Sequence, residues 1–189
     1  MNIEIVNIRS DKIISAFKEV MERYTSLHDC HILLVQKKIK SSTMQAQPIF
    51  NFKSLLKGVK TYKVKLGIYV RDSDTLRVES LPKDVLTGWF AHELGHIVDY
   101  QPYSSWQMLR YGIRYVTSQK FKRKAEYAAD TIAIAHGFAP QIIAAKKFII
   151  ENELMEQKYK DKIAKYYMTI SEVELCVDEK AIAQPSTEL

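Results

Sequence analysis

Two histidines and a glutamate occur together at positions 92 to 96, where the chain reads His-Glu-Leu-Gly-His. Residues four apart lie one turn apart on the same face of a helix, so His92 and His96 can bind one metal ion. Glu93 lies about 100° further around such a helix and can take a proton from a water molecule on the metal. The spacing therefore predicts a metal site with its own general base.

A third ligand is needed, because a catalytic zinc site has three protein ligands and one position open to water. Glu126 and Asp130 are four residues apart in a second predicted helix, which presents both carboxylates on one side. We expect Glu126 to complete a site for one zinc ion per chain. Asp130 is then placed to accept the outward ring N–H of a ligand histidine, either His92 or His96.

The residues around the motif predict a helix that packs by its other side. Gly95 costs a helix up to about 1 kcal/mol relative to alanine, which predicts that another part of the protein approaches closely there. Asp99, on the same face as His96, is either a further group that orients a ligand or an acid on the helix surface. An apolar stripe lies opposite the histidines: its residues are Leu86, Phe90, Leu94 and Ile97.

The motif and the helix after it resemble those of gluzincin metallopeptidases, the zinc peptidases whose third ligand is a glutamate on a following helix. Residues 126–130, Glu-Tyr-Ala-Ala-Asp, and residues 137–140, Gly-Phe-Ala-Pro, are similar to a helix and turn of the CAAX-prenyl endopeptidase family and its soluble relatives. The chain also resembles the small repressor-cleaving metallopeptidases of mobile elements, which carry His-Glu-Leu-Gly-His and a Glu-x-x-Ala helix. The likeness covers residues 82–140.

The resemblance implies a zinc-dependent endopeptidase with a zincin-like α+β fold. Such a fold has a small antiparallel or mixed sheet packed on the His-Glu helix, followed by a helical C-terminal part. In these proteins an extended substrate adds as a strand to the sheet edge that borders the cleft. We expect that edge in one of the strands between Tyr62 and Glu79, where Lys63 and Lys65 would favour acidic peptides.

Two features of the prenyl endopeptidases do not carry over. The chain has no run of the roughly 18 apolar residues that a membrane-spanning helix needs, so lipidated substrates are not expected. No obvious equivalent of their oxyanion-stabilising His, Tyr or Arg follows residue 140. His136 precedes Gly137 at the end of the Glu126 helix, where we favour a C-terminal cap over an oxyanion donor. The tyrosines that remain as candidate donors are Tyr100, Tyr103, Tyr111, Tyr115 and Tyr127.

The composition is that of one globular domain. The chain has 189 residues, 47% of them hydrophobic, and we expect a single domain over 1–178 with a flexible tail over 179–189. The first residues alternate polar and apolar side chains, which is not the pattern of a signal peptide. Cys30 and Cys176 are far apart in sequence, so we expect reduced thiols in the cytoplasm and no thiolate zinc site.

The formal net charge is +6, and the basic residues are unevenly distributed. Residues 37–65 contain eight lysines and no acidic residue. Such a segment can attract acidic peptides, anionic lipid or nucleic acid, but a solvated face of strands and loops is the commoner structure. No recognised nucleic-acid module is present, so nucleic-acid binding is not expected.

Periodicity and turn residues predict the other elements. Residues 103–124 carry Trp106, Leu109, Ile113 and Val116 at helical spacing; we expect them to pack on the core, with a cleft-covering flap or a membrane-surface helix as alternatives. A helical pair is predicted over 141–158 and 160–168. Before the motif the predicted order is a helix over 11–28, a strand over 32–39, a loop over 41–48, a short helical turn over 50–56 and a hairpin of strands over 62–70 and 75–79.

These patterns support one function over another. The leading hypothesis is a zinc-dependent endopeptidase that attacks a peptide carbonyl with a metal-activated water, with Glu93 as general base. The alternative is a non-catalytic or highly specialised zinc-binding regulatory protein of a mobile element or toxin system. The presence of Glu93 favours the enzyme, because a structural site needs no general base, whereas the lack of an obvious oxyanion donor favours the alternative.

Overall fold

The structure is a computed structural model that describes residues 1–39, 42–51 and 59–183. Within these residues the chain forms an α+β fold with one four-stranded sheet and seven α-helices. The strands are β1 (Asn2–Val6), β2 (His31–Gln36), β3 (Met44–Pro48) and β4 (Thr61–Leu66). The helices are α1 (Asp11–Arg23), α2 (Lys83–Tyr100), α3 (Ser105–Thr117), α4 (Gln119–Ala135), α5 (Ala139–Glu151), α6 (Gln157–Tyr166) and α7 (Ile170–Ala183).

The sheet is mixed, with the strand order β1-β2-β4-β3. β1 and β2 pair in parallel, as do β2 and β4, whereas β3 runs antiparallel to β4 at the edge. The loop predicted over 41–48 was therefore wrong for its second half. The segment Met-Gln-Ala-Gln-Pro has little intrinsic strand preference, and it is the pairing of Ala46 opposite Val64 that makes it a strand.

Alternating side chains of the two central strands form one layer of the core. Tyr62 and Val64 of β4 are fully buried on the side where Tyr62 packs against Tyr100 of α2, with ring centroids 6.0 Å apart. Lys63 and Lys65 alternate with them and so lie on the opposite face of the sheet. They do not face the histidine helix, and the reason given above for acidic substrates no longer applies.

The segment between β4 and α2 is less regular than the predicted hairpin. β4 ends at Leu66, and residues Tyr69 and Arg77 form a single isolated bridge. Residues Val78–Ser80 then make a 3-10 turn that leads into α2. Likewise, the helix predicted over 11–28 ends at Arg23 and is followed by a 3-10 turn over Thr25–Leu27. The turn predicted over 50–56 falls mostly on residues 52–58, outside the described ranges.

Helix α3 exposes the apolar residues that were predicted to pack on the core. The exposed fractions are 75% for Trp106, 49% for Leu109, 54% for Ile113 and 79% for Val116. The buried side of α3 instead carries Met108 and the hydroxyls of Tyr111 and Tyr115, which bond to carboxylates of α2 and α4. The prediction was wrong because α3 has apolar side chains on two faces, and spacing alone does not say which face meets the core.

Three helices follow Pro140 where two were predicted. α5, α6 and α7 pack around α4, and α7 continues to Ala183, past the predicted domain end at 178. Residues 184–189 of the predicted tail lie outside the described part of the chain. Among the helices of the described residues, none combines the length and apolar character that crossing a membrane requires.

Candidate metal centre

Helix α2 holds both histidines of the motif toward helix α4. The imidazoles of His92 and His96 are edge-to-face with centroids 4.7 Å apart, and each side chain is almost entirely buried. The predicted apolar stripe on the other side of α2 is confirmed: Leu86, Phe90, Leu94 and Ile97 are fully buried.

Gly95 lets the backbones of α2 and α4 approach each other. A Cβ atom at position 95 would lie 2.5 Å from the carbonyl oxygen of Ala129, closer than any real contact. The close approach predicted from this glycine is confirmed. Because Ala129 lies between Glu126 and Asp130 along α4, the same contact brings both carboxylates beside the histidines.

The three predicted ligand side chains converge. One ligand atom each from His92, His96 and Glu126 lies within 4.8 Å of the others. Oε2 of Glu126 is 3.0 Å from Nε2 of His92 and 3.3 Å from Nε2 of His96. Donors on one tetrahedral zinc ion lie about 3.3 Å apart, given metal–ligand bonds of about 2.0–2.1 Å. The donor set and its spacing therefore fit one metal ion without large movement.

Asp130 orients His92 and not His96. Its Oδ1 lies 2.8 Å from Nδ1 of His92, which leaves Nε2 directed at Glu126. Oδ2 of Asp130 accepts hydrogen bonds from Nζ of Lys146 at 2.8 Å and from the backbone N–H of Met168 at 3.2 Å. The bond to His92 thus decides the choice that the sequence left open, and Lys146 of α5 and Met168 between α6 and α7 hold the carboxylate in place.

Electrostatics keep both carboxylates ionised although they are buried. Burial raises the pKa of Glu126, but its hydrogen bonds with His92 and His96 outweigh this and hold the pKa well below its usual range. Burial likewise raises the pKa of Asp130, and the bond from His92 together with the Lys146 ammonium lowers it below the usual value. Metal binding requires such deprotonated carboxylates.

Glu93 is held beside the ligands by the edge strand. Its Oε2 accepts a 2.7 Å hydrogen bond from the backbone N–H of Ala46 in β3. The backbone groups of Thr43 and Ile49 bond to Gly67 and Thr61, at the two ends of β4. Alternate residues of an antiparallel strand direct their backbone groups to the partner, so those of Ala46 point away from β4. Glu93 and His92 line the same cavity.

The five tyrosines that were candidate oxyanion donors differ in what their side chains contact. Tyr115 donates its hydroxyl hydrogen to Oε1 of Glu126, and Tyr111 donates to Oδ2 of Asp99 at 2.9 Å. The hydroxyl of Tyr127 bonds to the Glu172 carboxylate. Tyr100 and Tyr103 pack against the ring of Tyr111. Of the five, Tyr115 alone forms a hydrogen bond to a predicted ligand.

His136 lies at a helix end, away from the ligands. Its Nδ1 is 2.8 Å from the carbonyl oxygen of Ile132, and its ring stacks on Tyr24 with centroids 4.2 Å apart. Gly137 follows with a φ of 83°, which ends α4. This placement supports the interpretation of His136 as a cap.

Tyr167 was missed by the sequence analysis. Its ring centroid is 5.2 Å from that of His92, and it lines the cavity with His92 and Glu93. Its hydroxyl makes no hydrogen bond to another residue in the described ranges. Burial and nearby Glu126 raise its pKa well above the usual value, so the phenol keeps its proton. No motif marks this position among the chain's eleven tyrosines.

Comparison of the chain with protein-family models, with curated proteins and with solved structures gives no match. The geometry of the site is therefore the basis for assigning a function to the protein.

Proposed function

We propose that this protein is a zinc-dependent endopeptidase of the gluzincin type. The observation that carries the proposal is the convergence of His92, His96 and Glu126 within 4.8 Å, with Glu93 beside them in an open cavity. Two imidazoles and one carboxylate, with no thiolate, make the ligand set of catalytic zinc sites. The edge strand beside the histidine helix supports a zincin-like interpretation of the fold. The free thiols of Cys30 and Cys176 are consistent with a cytoplasmic location.

A bound zinc ion would polarise the peptide carbonyl and lower the pKa of its water toward about 7. His92, His96 and Glu126 would hold it, and Asp130 would fix the ring orientation of His92. Glu93 takes the proton of the attacking water and passes it to the leaving amine. The N–H of Ala46 orients the Glu93 carboxylate for both transfers.

Tyr167 supplies the donor that the sequence did not reveal. Its side chain lines the cavity beside His92, and a protonated hydroxyl there can donate to the carbonyl oxygen on which negative charge develops during hydrolysis. Tyr115 already donates to Glu126 and so positions a ligand.

The outward edge of β3 is the surface on which an extended substrate would lie. Residues 44, 46 and 48 direct their backbone groups away from β4; Glu93 accepts the N–H of Ala46, so a substrate would pair with the other outward groups of these residues. Unpaired backbone groups at a sheet edge bind extended peptides by adding a strand. This edge differs from the one expected from the sequence, but it borders the same motif.

The decisive test combines metal analysis with Glu93→Gln. We expect about one zinc per chain, and cleavage of a peptide library that falls about 10²- to 10⁴-fold in Glu93→Gln while zinc content stays unchanged. Glu153→Gln, at an exposed position of the same residue type, serves as the control and should keep full activity. Absence of zinc, or undiminished cleavage by Glu93→Gln, would contradict the proposal.

A further inference from the structure

Three basic side chains line the cavity beside the metal centre: Arg71, Lys146 and Lys162. Two of them have acidic partners. Lys146 is paired with Asp130 at 2.8 Å, and Nε of Arg71 with Oδ2 of Asp72 at 2.9 Å. Lys162 forms no ion pair with any residue that the structure describes. Of the three, it is therefore the cation without an ion-pair partner among the described residues.

The surroundings of Lys162 oppose its charge. Its side chain on α6 is partly buried, and burial together with the positive charges of Arg71 and Lys122 lowers its pKa to about 8. A charged group held in such a place without a counter-ion costs free energy of folding. Groups of this kind cluster at functional sites, where a ligand supplies the missing charge.

Arg71 is fixed in a position that leaves part of its guanidinium available. Its backbone N–H donates to Oγ1 of Thr43 at 2.8 Å, and its guanidinium lies over the Tyr159 ring, 5.6 Å from the centroid. Asp72 accepts only from Nε. Among the described residues no acceptor is bonded to the two terminal nitrogens, which can therefore bind another acceptor, and a guanidinium binds carboxylates especially well.

The other residues that line the cavity indicate which kind of anion fits beside Arg71 and Lys162. Ile142, Ala145, Ile149 and Ile163 supply an apolar wall to the same cavity. An apolar wall with two cations suits an organic anion that carries an aliphatic part. A peptide with an aliphatic side chain and a nearby carboxylate has both.

We propose that Arg71 and Lys162 bind a carboxylate of the peptide substrate next to the metal centre. This inference rests on the proposed endopeptidase function and adds a substrate class to it. The carboxylate comes from an acidic side chain or from the peptide's C-terminus. The preference for acidic peptides then arises from residues 71 and 162, not from Lys63 and Lys65 on the far face of the sheet.

The test is calorimetric binding of thiol-anchored peptides to the zinc-loaded full chain. The probes are N-mercaptoacetyl-leucyl peptides with a glutamate at the first, second or third position after leucine and an amidated C-terminus. Each is matched by its glutamine counterpart. A second series of the same lengths has no acidic side chain and ends in either a free carboxylate or an amide. The thiol anchors every probe on zinc, and the two series distinguish side-chain from terminal carboxylates.

At least one carboxylate probe should bind about 10- to 100-fold more tightly than its neutral counterpart, the range expected for a charged hydrogen bond. In Lys162→Gln or Arg71→Gln this advantage should fall to about 2-fold or less, while the neutral probes bind as before. Lys162→Arg should keep it. Lys165→Gln, an exposed lysine of the same helix, is the control and should change nothing.

The outcomes distinguish a failure of the carboxylate site from a failure of the proposed endopeptidase function. If neutral and carboxylate probes bind the wild type equally well, or if Lys162→Gln keeps the preference, the carboxylate site is wrong and the open zinc site stands. If no probe binds at all, the open zinc site is wrong, and the carboxylate site falls with it. Zinc content measured on each variant shows that the fold and metal centre are intact.

Discussion

At the scale of single residues, the site is organised by a buried chain of charges that runs from Lys146 through Asp130 to His92. The ammonium of Lys146 keeps Asp130 ionised, and Asp130 in turn holds the imidazole of His92 by a hydrogen bond. The function of Asp130 and its contribution to stability can therefore be separated by mutation.

We predict that Asp130→Asn lowers zinc affinity about 10- to 100-fold, the cost of losing a carboxylate that orients a ligand histidine. The same change leaves the Lys146 ammonium buried without a counter-ion and lowers the free energy of unfolding by about 3–5 kcal/mol. The double variant Asp130→Asn/Lys146→Met should recover most of the stability but not the zinc affinity. Competition with a zinc chelator and chemical denaturation measure the two effects.

Asp99→Asn is the informative comparison. Asp99 accepts from Tyr111, and no hydrogen bond joins it to either histidine in the part of the chain described. If its loss reduces zinc affinity as much as Asp130→Asn does, Asp99 also orients a ligand.

A second residue-scale prediction concerns Lys162 and pH. Burial, with smaller contributions from the charges of Arg71 and Lys122, lowers the pKa of this amine to about 8 against the opposing charges of Glu126 and Asp72. The charged amine therefore destabilises the folded state fully below pH 8, and the cost disappears as pH rises toward the ordinary lysine value of about 10.4. Lys162→Met should be more stable than wild type at pH 7, with a difference that shrinks above pH 8.

Urea denaturation of Lys162→Met between pH 6 and 10 measures this difference. Lys165→Met, at an exposed position of α6, should show no comparable pH-dependent gain. A stability difference for Lys162→Met that does not change with pH would contradict the assigned cause.

At the scale of elements, the site depends on how closely α2 and α4 pack. Gly95 has no side chain between the helices, and the Ala129 carbonyl occupies the space that a Cβ would need. Neither helix alone holds three ligands. The contact between them is thus as much a part of the metal centre as the ligands are.

We predict that Gly95→Ala destabilises the protein although alanine favours helix. Forcing the helices apart costs about 1–3 kcal/mol and outweighs a propensity gain of up to about 1 kcal/mol. Zinc affinity should fall as well, because Glu126 moves with α4. Thermal denaturation and chelator competition test both expectations.

Gly112 offers a matched control in α3, since a Cβ there meets nothing within 4 Å. Gly112→Ala should raise the free energy of unfolding by about 0.5–1 kcal/mol. Equal effects of the two substitutions would mean that close packing at Gly95 is not what matters.

At the scale of the whole molecule, the metal centre joins the part of the chain that contains the sheet to the helical C-terminal part. α2 packs on β3, on α1 and on α5, while α4 contacts α5, α6 and α7. An ion shared between α2 and α4 would therefore add a link between the two layers, and its binding free energy would add to that of folding.

We predict that removing zinc lowers the melting temperature by about 10 °C, because zinc at about 1,000 times its dissociation constant adds about 4 kcal/mol and each kcal/mol shifts a domain of this size by about 2–4 °C. Differential scanning calorimetry with and without chelator measures the shift. Glu126→Ala should abolish the chelator's effect, whereas Glu153→Ala should leave it intact. A chelator effect that persists in Glu126→Ala would place the third ligand elsewhere.

The sequence alone determined the features that depend on spacing within one helix. The His92–His96 pair, the buried stripe opposite it and the pairing of Glu126 with Asp130 all follow from a period of 3.6 residues, which is local. Gly95 also predicted a close contact, because glycine destabilises a helix interior relative to alanine.

Features that depend on contacts between distant segments of the chain are known only from the tertiary structure. The outer face of α3, the strand character of β3, the partner of Asp130 and the positions of Tyr167 and Lys162 beside the metal centre each result from contacts between segments far apart in the chain. Periodicity records which residues share a face, but it contains no information on which other face they meet. The candidate ligands could therefore be predicted from the sequence, whereas the proposed donor Tyr167 and the proposed carboxylate site could not.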